Sequence, residues 1–329
     1  MIQSMLLNRG LNRLANRLLG QRVSIFTLHR PRGQHGLTGI DPVMLHQLLE
    51  SLSRHNVQFI YLDELVNSST DLDPKGHYVC FTIDDGYKDQ VDKLLPVMFE
   101  FDAKPTMFVI TNMIDNSELP WDAIIASLVN KSNLRSVNLS NLQDINLSKV
   151  DLLDKRQVRR ILSDHVKRLG SADRSSFVEA LIPVLSPEDE VSTESFRSST
   201  WQELRTLETR GLAIGSHTCS HQPLSTLKDD VLVEEITVSK QLLDANLSTP
   251  SRILCYPVGK VEDFDERSIE VAKKVGYMGG VTSEPGFFCP LSHKENKENC
   301  FTIPRMSFPP TLGTAIRYAS WLEKLRAVK

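Results

Sequence analysis

Brief apolar runs alternate with longer stretches in which apolar residues return every three or four positions, and this rhythm fills most of the chain. The runs predict buried strands and the 3.6-residue recurrence predicts helices. Val23–Leu28 reads as the first strand and leads straight into His29. Asp41 then offers an N-cap with Pro42 at the first helical position, and Met44, Leu45, Leu48, Leu49 and Leu52 fall on one face. Gln58–Tyr61 and Tyr78–Ile83 are the next strands, the second ending in Asp84-Asp85-Gly86. A helix over Tyr87–Phe101 and a strand over Thr106–Ile110 continue the alternation.

The rhythm changes from about Thr111 to Ser199. No strand pattern is visible there, and two helices are expected, Lys155–Leu169 and Arg174–Leu181, the second stopped by Pro183. The polar run Ser186–Thr200 reads as a loop. Alternation then resumes. Thr200 and Glu203 form a capping box for a helix over Trp201–Arg210. Leu212–Ile214, Ile253–Tyr256, Tyr277–Val281 and Cys300–Ile303 read as strands, and Lys228–Asn246, Asp265–Val275 and Leu312–Leu325 as helices. Strand–helix repetition implies an α/β fold with a mainly parallel sheet, and about eight strands suit a barrel. The expected plan is an amphipathic helix within 1–22, a barrel over 23–310 carrying a mostly helical insertion at about 111–199, and a C-terminal helix within 311–329.

Composition narrows the function class. The chain has 329 residues, 40% apolar and 24% charged, with a formal net charge of -3, which excludes the net basic character expected of a nucleic-acid binder. The five cysteines form no CxxC pair and fit a reducing compartment better than a disulfide framework. Arg9, Arg13 and Arg17 interrupt any signal-peptide core, so a cytoplasmic location is expected. Residues 2–22 set Leu7, Leu11, Leu14 and Leu18 against those arginines. A helix packed on the domain surface is the preferred reading of that segment, with peripheral membrane contact the second.

Polar residues collect at the C-terminal ends of the strands, where a parallel barrel gathers its reactive groups. His29, Asp84, Asp85, His217, Tyr256 and Arg305 all follow apolar runs in this way. Asp-Asp-Gly by itself is an ordinary turn sequence. His217 and His221, four residues apart, could equally sit in a polar loop. Together, two imidazoles and a carboxylate leave a coordination position open for water, as in a catalytic zinc site, and iron, cobalt, nickel or manganese accept similar ligands. Trp121 and Asp122 follow Pro120; Trp121 is a candidate sugar-stacking residue or a core residue of the insertion. Cys219 reads as a small filler, and His293 lies in a polar run read as a surface loop.

Three segments carry a resemblance. Phe81-Thr82-Ile83-Asp84-Asp85-Gly86-Tyr87, His217-Thr218-Cys219-Ser220-His221 and Tyr256-Pro257-Val258-Gly259 resemble, in order, the motifs of the polysaccharide deacetylases, the family with the NodB homology domain. The resemblance runs from about Val23 to Arg305. It implies a distorted, incompletely closed (β/α) barrel, a divalent metal, most simply Zn2+, and hydrolysis of an N-acetyl group on a sugar or glycan. It also implies Asp85, His217 and His221 as metal ligands and Asp84 as general base, with the backbone N–H of Tyr256 a candidate oxyanion donor. Two departures stand out. Many members carry the general acid as a histidine near the C-terminal end of the domain, where this chain reads Phe301-Thr302-Ile303-Pro304-Arg305. Circularly permuted members place that strand first, which makes His29 the candidate acid. The family's third motif often has an arginine two residues before the proline that orients the base. Cys255 stands there, and Arg305 or Lys260 is the candidate replacement. Two alternatives accompany the deacetylase expectation: hydrolysis of a non-sugar or cyclic amide at the same site, and an inactive glycan-binding relic. A cytoplasmic chain would meet a lipid-linked or nucleotide-linked sugar precursor rather than a finished wall polymer.

Overall fold

Eight strands, β1 (Ser24–Leu28), β2 (Gln58–Phe59), β3 (Tyr78–Asp85), β4 (Thr106–Val109), β5 (Ala213–Ser216), β6 (Ile253–Cys255), β7 (Gly279–Val281) and β8 (Met306–Ser307), form one parallel sheet. The computed structural model describes residues 2–32, 39–67, 72–116, 118–132, 136–137, 150–151, 154–185, 196–290 and 300–326. The strand order is β8-β1-β3-β4-β5-β6-β7, with β2 also paired to β3. A single bridge, Val281 to Ile303, links β7 to the segment that leads into β8, so the sheet curls into an incompletely closed barrel.

Register explains why the polar strand ends meet. Leu28 pairs with Ile83 and Asp85 with Val109, so His29 comes level with Asp84. β1, β3 and β4 are buried on both faces, which accounts for continuous apolar runs in place of alternation. Ile25, Cys80, Phe108, Ile253 and Cys255 pack together in one cluster. The alternate residues Phe26, Phe81 and Ile83 pack with Leu45, Leu48, Leu49 and Leu52 of the helix Pro42–Arg54 in another. Each such buried leucine contributes about 2 kcal/mol. Because side chains alternate, Asp84 shares the face of Cys80 and Thr82.

Several elements differ from the sequence reading. The expected helix over Tyr87–Phe101 is two, Lys88–Lys93 and Leu95–Glu100, because Pro96 cannot supply an N–H to a continuous ladder. Only Gln58–Phe59 of the second strand is laddered, and Tyr61 instead caps the helix Leu62–Val66. The last strand is Met306–Ser307, not Cys300–Ile303, because Pro304 interrupts pairing after the Ile303 bridge. The C-terminal helix is divided into Leu312–Tyr318 and Trp321–Arg326.

Between β4 and β5 the chain forms helices Trp121–Lys131, Lys155–Val166 and Ser171–Leu185 and a short antiparallel pair, Ser136–Val137 with Val150–Asp151. The first helix has no polar face to betray its period, since Trp121, Ala123, Ile125, Ala126, Leu128 and Val129 are all buried. Pro183 does not stop the third helix. It sits in the last turn, and the carbonyl it would deprive, that of Glu179, lies on an exposed residue. The three helices share a core in which Trp121, Ile125 and Leu128 meet Val158, Leu162, Phe177 and Leu181. Most of the loop after Leu185, and the run containing His293, lie outside the described residues.

The N-terminal segment packs on the domain surface, but not by Leu11, Leu14 and Leu18. It forms Ile2–Leu6 and Arg9–Leu19, and the second helix turns its asparagines inward. Asn12, Ala15 and Asn16 are buried, whereas Leu11, Leu14 and Leu18 are 36%, 52% and 69% exposed. Hydrogen bonding selects this face. Asn16 Nδ2 donates to the Gly76 carbonyl at 2.9 Å and its Oδ1 accepts from Lys324 at 3.0 Å, pairing groups that would be costly to bury alone.

Candidate metal and catalytic site

The site gathers at the C-terminal end of the sheet. Asp84 and Asp85 close β3, and Gly86 turns the chain away at φ +87°. A Cβ at position 86 would lie 2.9 Å from Val109 Cγ1, so conformation and space both require glycine. Asp85 itself has φ +86°, and Thr218, His221 and Val258 also adopt positive φ. Left-handed backbone at four residues of the three motif loops costs free energy that the surrounding fold supplies.

Asp85 Oδ1 lies 3.7 Å from His217 Nε2 and 3.9 Å from His221 Nε2. Hydrogen bonds on the opposite nitrogens fix both rings. His217 Nδ1 meets the Cys255 carbonyl at 2.9 Å, and His221 Nδ1 meets Asp122 Oδ1 at 3.2 Å. Such partners fix the imidazoles with Nε2 of each toward Asp85, the orientation a metal-ligating histidine takes. The loop carrying both histidines is tied down by Glu235, whose carboxylate accepts from the Cys219 and Ser220 amides at 2.9 Å. One ligand atom each from Asp85, His217 and His221 lies within 4.8 Å of the others, so these residues fit a divalent metal. Asp84, His217 and Cys255 form a second cluster of similar size. It is less suited to metal, because Arg305 occupies both Asp84 oxygens.

Electrostatics separates the carboxylates. Burial alone would raise the Asp84 pKa, but Arg305, then His217 and His29, hold it well below the usual carboxylate range. Arg305 donates to Asp84 Oδ1 at 2.7 Å and to Oδ2 at 2.8 Å, a two-pronged pair buried on both sides. Burial raises Asp85, moderated by His29 and His221. Burial, with His221 beside it, pushes His217 down to about 3, which keeps a lone pair available for metal. Burial would also lower His221, yet Asp122 outweighs it and lifts the ring to about 9.

The remaining candidates divide. His29 Nε2 lies 3.9 Å from Asp84 Oδ2, with its side chain 57% exposed at the mouth. Arg305, rather than Lys260, reaches Asp84; Lys260 instead binds the Ser283 carbonyl at 3.0 Å. The Arg305 guanidinium also contacts Cys255 Sγ at 3.3 Å, so the small cysteine leaves the room that the arginine fills. The Tyr256 amide is not free for an oxyanion, and of the two readings of Trp121 the core one holds. The Tyr256 amide donates to the Val281 carbonyl at 3.2 Å, and its ring stacks on Phe264. The sheet therefore claims the N–H offered for an oxyanion. Trp121 is buried, donates Nε1 to the His221 carbonyl at 2.8 Å and stacks against that ring, so it braces His221. Asp122 and Glu235 were not assigned from the sequence. Asp122 follows Trp121 and carried no motif signal, and Glu235 lies mid-helix in Asp229–Asn246.

A cavity of about 730 Å³ opens over the site and is lined by His29, Asp85, Tyr87 and Asp122 among others. Comparison with known proteins agrees with the fold. The chain superposes on the Streptococcus pyogenes deacetylase PplD in complex with acetate with a TM-score of 0.57 at 16% identity, covering 94% of this chain and 99% of that one. On IcaB from Ammonifex degensii the TM-score is 0.58 at 14% identity, covering 92% and 98%. A curated relative from Bacillus subtilis strain 168, YxkH, whose name assigns it provisionally to the polysaccharide deacetylases, is 34% identical over 87 residues. That stretch is 26% of this chain and spans 30% of the relative's length. The profile of the polysaccharide deacetylases matches residues 71–169 and 170–280, which hold β3 with its acidic pair and both histidines. A match over more than half of the sequence, centred on the residues that converge at the strand ends, establishes that the chain belongs to the polysaccharide deacetylase family.

Proposed function

We propose that the chain is a metal-dependent hydrolase that removes an N-acetyl group from a sugar in a glycan or glycan precursor and releases acetate. The observation that carries this reading is the convergence of Asp85, His217 and His221 beside an ion-paired Asp84, with His29 across the same opening. Two imidazoles and a carboxylate favour zinc, and Co2+, Ni2+, Mn2+ and Fe2+ accept the same donors. A divalent cation held there would polarise the acetyl carbonyl and acidify water.

The chain's own residues supply the rest. Arg305 keeps Asp84 ionised and fixes its direction, so Asp84 takes the proton of the attacking water. His29 gives a proton to the departing nitrogen, so that the amide C–N bond breaks to an amine and acetate. Its position beside Asp84 favours an enzyme over an inactive relic. The helices between β4 and β5 form the rim of the opening. The N-terminal helix, with its leucines outward and Arg9, Arg13 and Arg17 exposed among them, supports contact with an anionic membrane surface.

Metal content and acetate release, measured together, test the reading. Wild-type protein should carry one metal per chain and release acetate from N-acetylated sugars, and His217→Ala should lose both. Asp84→Asn should keep the metal and lose about 10²- to 10⁴-fold in rate. Metal without acetate release from any sugar would shift the reading to a non-sugar amide. No metal after zinc is added back would sink it.

A further inference from the structure

The cavity over the site has two chemically different ends. Asp85, which is buried, and His29, at the mouth, line one part of it. The rest of its lining includes arginines from two separate elements. Arg30 and Arg32 come from the segment after β1, and Arg156 and Arg159 from the helix Lys155–Val166. Arg30 is already committed. It pairs with Asp89 at 2.8 Å, and its guanidinium lies over the rings of Tyr87 and Phe196 at 4.4 and 4.7 Å. Among the described residues, Arg32, Arg156 and Arg159 have no side-chain hydrogen bond or ion pair.

Arg159 is the telling member. It is half-buried. Burial presses its pKa down, the Arg30 charge adds to that, and Asp122 is the main carboxylate opposing it. Asp122, however, is engaged by His221 at 3.2 Å. A partly desolvated guanidinium without an anion is costly, and several facing one cavity repel each other. Solvated arginines at a rim would need no such clustering on two elements. The guanidinium fork matches phosphate and carboxylate oxygens, whereas neutral sugar hydroxyls gain little from several positive charges.

We propose that these arginines form a subsite for an anionic group, a phosphate or a carboxylate, carried by the same substrate whose acetamide reaches Asp85 and His29. The inference rests on the N-deacetylase reading and names its substrate class: an N-acetylated sugar that is phosphate-linked or that neighbours an acidic sugar.

Binding to full-length Asp84→Asn protein, loaded with zinc, tests it without turnover. The probes are uridine diphosphate N-acetylglucosamine, an N-acetylglucosamine–glucuronic acid disaccharide, and neutral N,N′-diacetylchitobiose, each titrated by calorimetry at low and high salt. At least one anionic probe should bind about tenfold or more tightly than the neutral one at low salt. That preference should shrink in high salt and in R156Q/R159Q. R156Q alone, which alters an exposed residue and so spares the fold, should remove part of it. A preference for the nucleotide sugar identifies phosphate, and one for the uronate identifies carboxylate. Equal or absent affinities, or a preference untouched by these substitutions, would overturn the subsite. The underlying reading fails separately, if wild-type protein binds an anionic probe selectively yet releases acetate from none.

Discussion

Arg305 and Cys255 form a matched pair. The guanidinium reaches both Asp84 oxygens only because position 255 holds a small side chain, 3.3 Å from it. Arg305→Lys replaces a two-pronged bond with a point charge, and acetate release should fall at least about tenfold with the fold intact. Cys255→Arg alone should be worse, because two guanidinium groups would compete for one carboxylate. Cys255→Arg combined with Arg305→Ala should recover part of the lost rate, which steady-state kinetics of the four proteins would reveal. No recovery in the pair would show that Arg305 does more than position Asp84. At this scale much was legible. Asp84, Asp85, His217 and His221 stand out by their place after apolar runs together with the resemblance to the family's motifs, since each pair alone reads equally as a turn or a loop. Asp122 did not, because its meeting with His221 joins residues 99 positions apart through tertiary packing alone.

The helix Trp121–Lys131 joins the rim of the opening to His221. Trp121 and Asp122 both hold His221, so the segment between β4 and β5 is not a detachable cover. Asp122→Ala should weaken zinc affinity about 10- to 100-fold, measured by competition with a chelator of known affinity, while the thermal midpoint moves little. An unchanged affinity would remove Asp122 from the metal's support. The N-terminal helix Arg9–Leu19 gives a second prediction. L14E/L18E should abolish co-sedimentation with vesicles containing phosphatidylserine and leave acetate release from a short soluble substrate unaltered. Wild-type protein that fails to sediment would dismiss the membrane contact. Sequence periodicity showed that this helix is amphipathic but not which stripe faces the protein. The period is the same either way, and buried asparagine hydrogen bonds decided it. Similar physics hid the helix at Trp121, where apolar residues all round erase the period.

Across the whole molecule, the strand–helix order and the parallel barrel follow from alternation, whereas closure does not. Pro304 and a one-residue bridge set the seam, and no pattern in the chain marks it. The far end of the barrel carries a pH sensitivity of its own. His77 is buried, binds the Ala319 carbonyl at 2.6 Å, and is held at about 3 by burial and by the Lys324 charge. Its folded pKa lies below the unfolded value of 6.5, so the unfolded chain takes up a proton that the folded chain refuses. That stabilisation is present above the unfolded pKa and is lost as pH falls toward 3. Between pH 7 and pH 5 the loss is about 2 kcal/mol. Urea unfolding of wild type and His77→Asn at the two pH values isolates this contribution, since other shifted histidines are common to both, and the pH difference should be smaller in His77→Asn by about 2 kcal/mol.

The same far end bears on geography. Asn16 docks the N-terminal helix onto the Pro74 and Gly76 carbonyls, just before β3 begins, while Asp84, Asp85 and the opening above them lie where β3 ends. A chain resting on a bilayer by its outward leucines would therefore work with its back to the lipid. Sugars fastened close to the headgroups would pass beneath its reach, and it would serve only those arriving from the open solution or on a tether long enough to bend round the barrel.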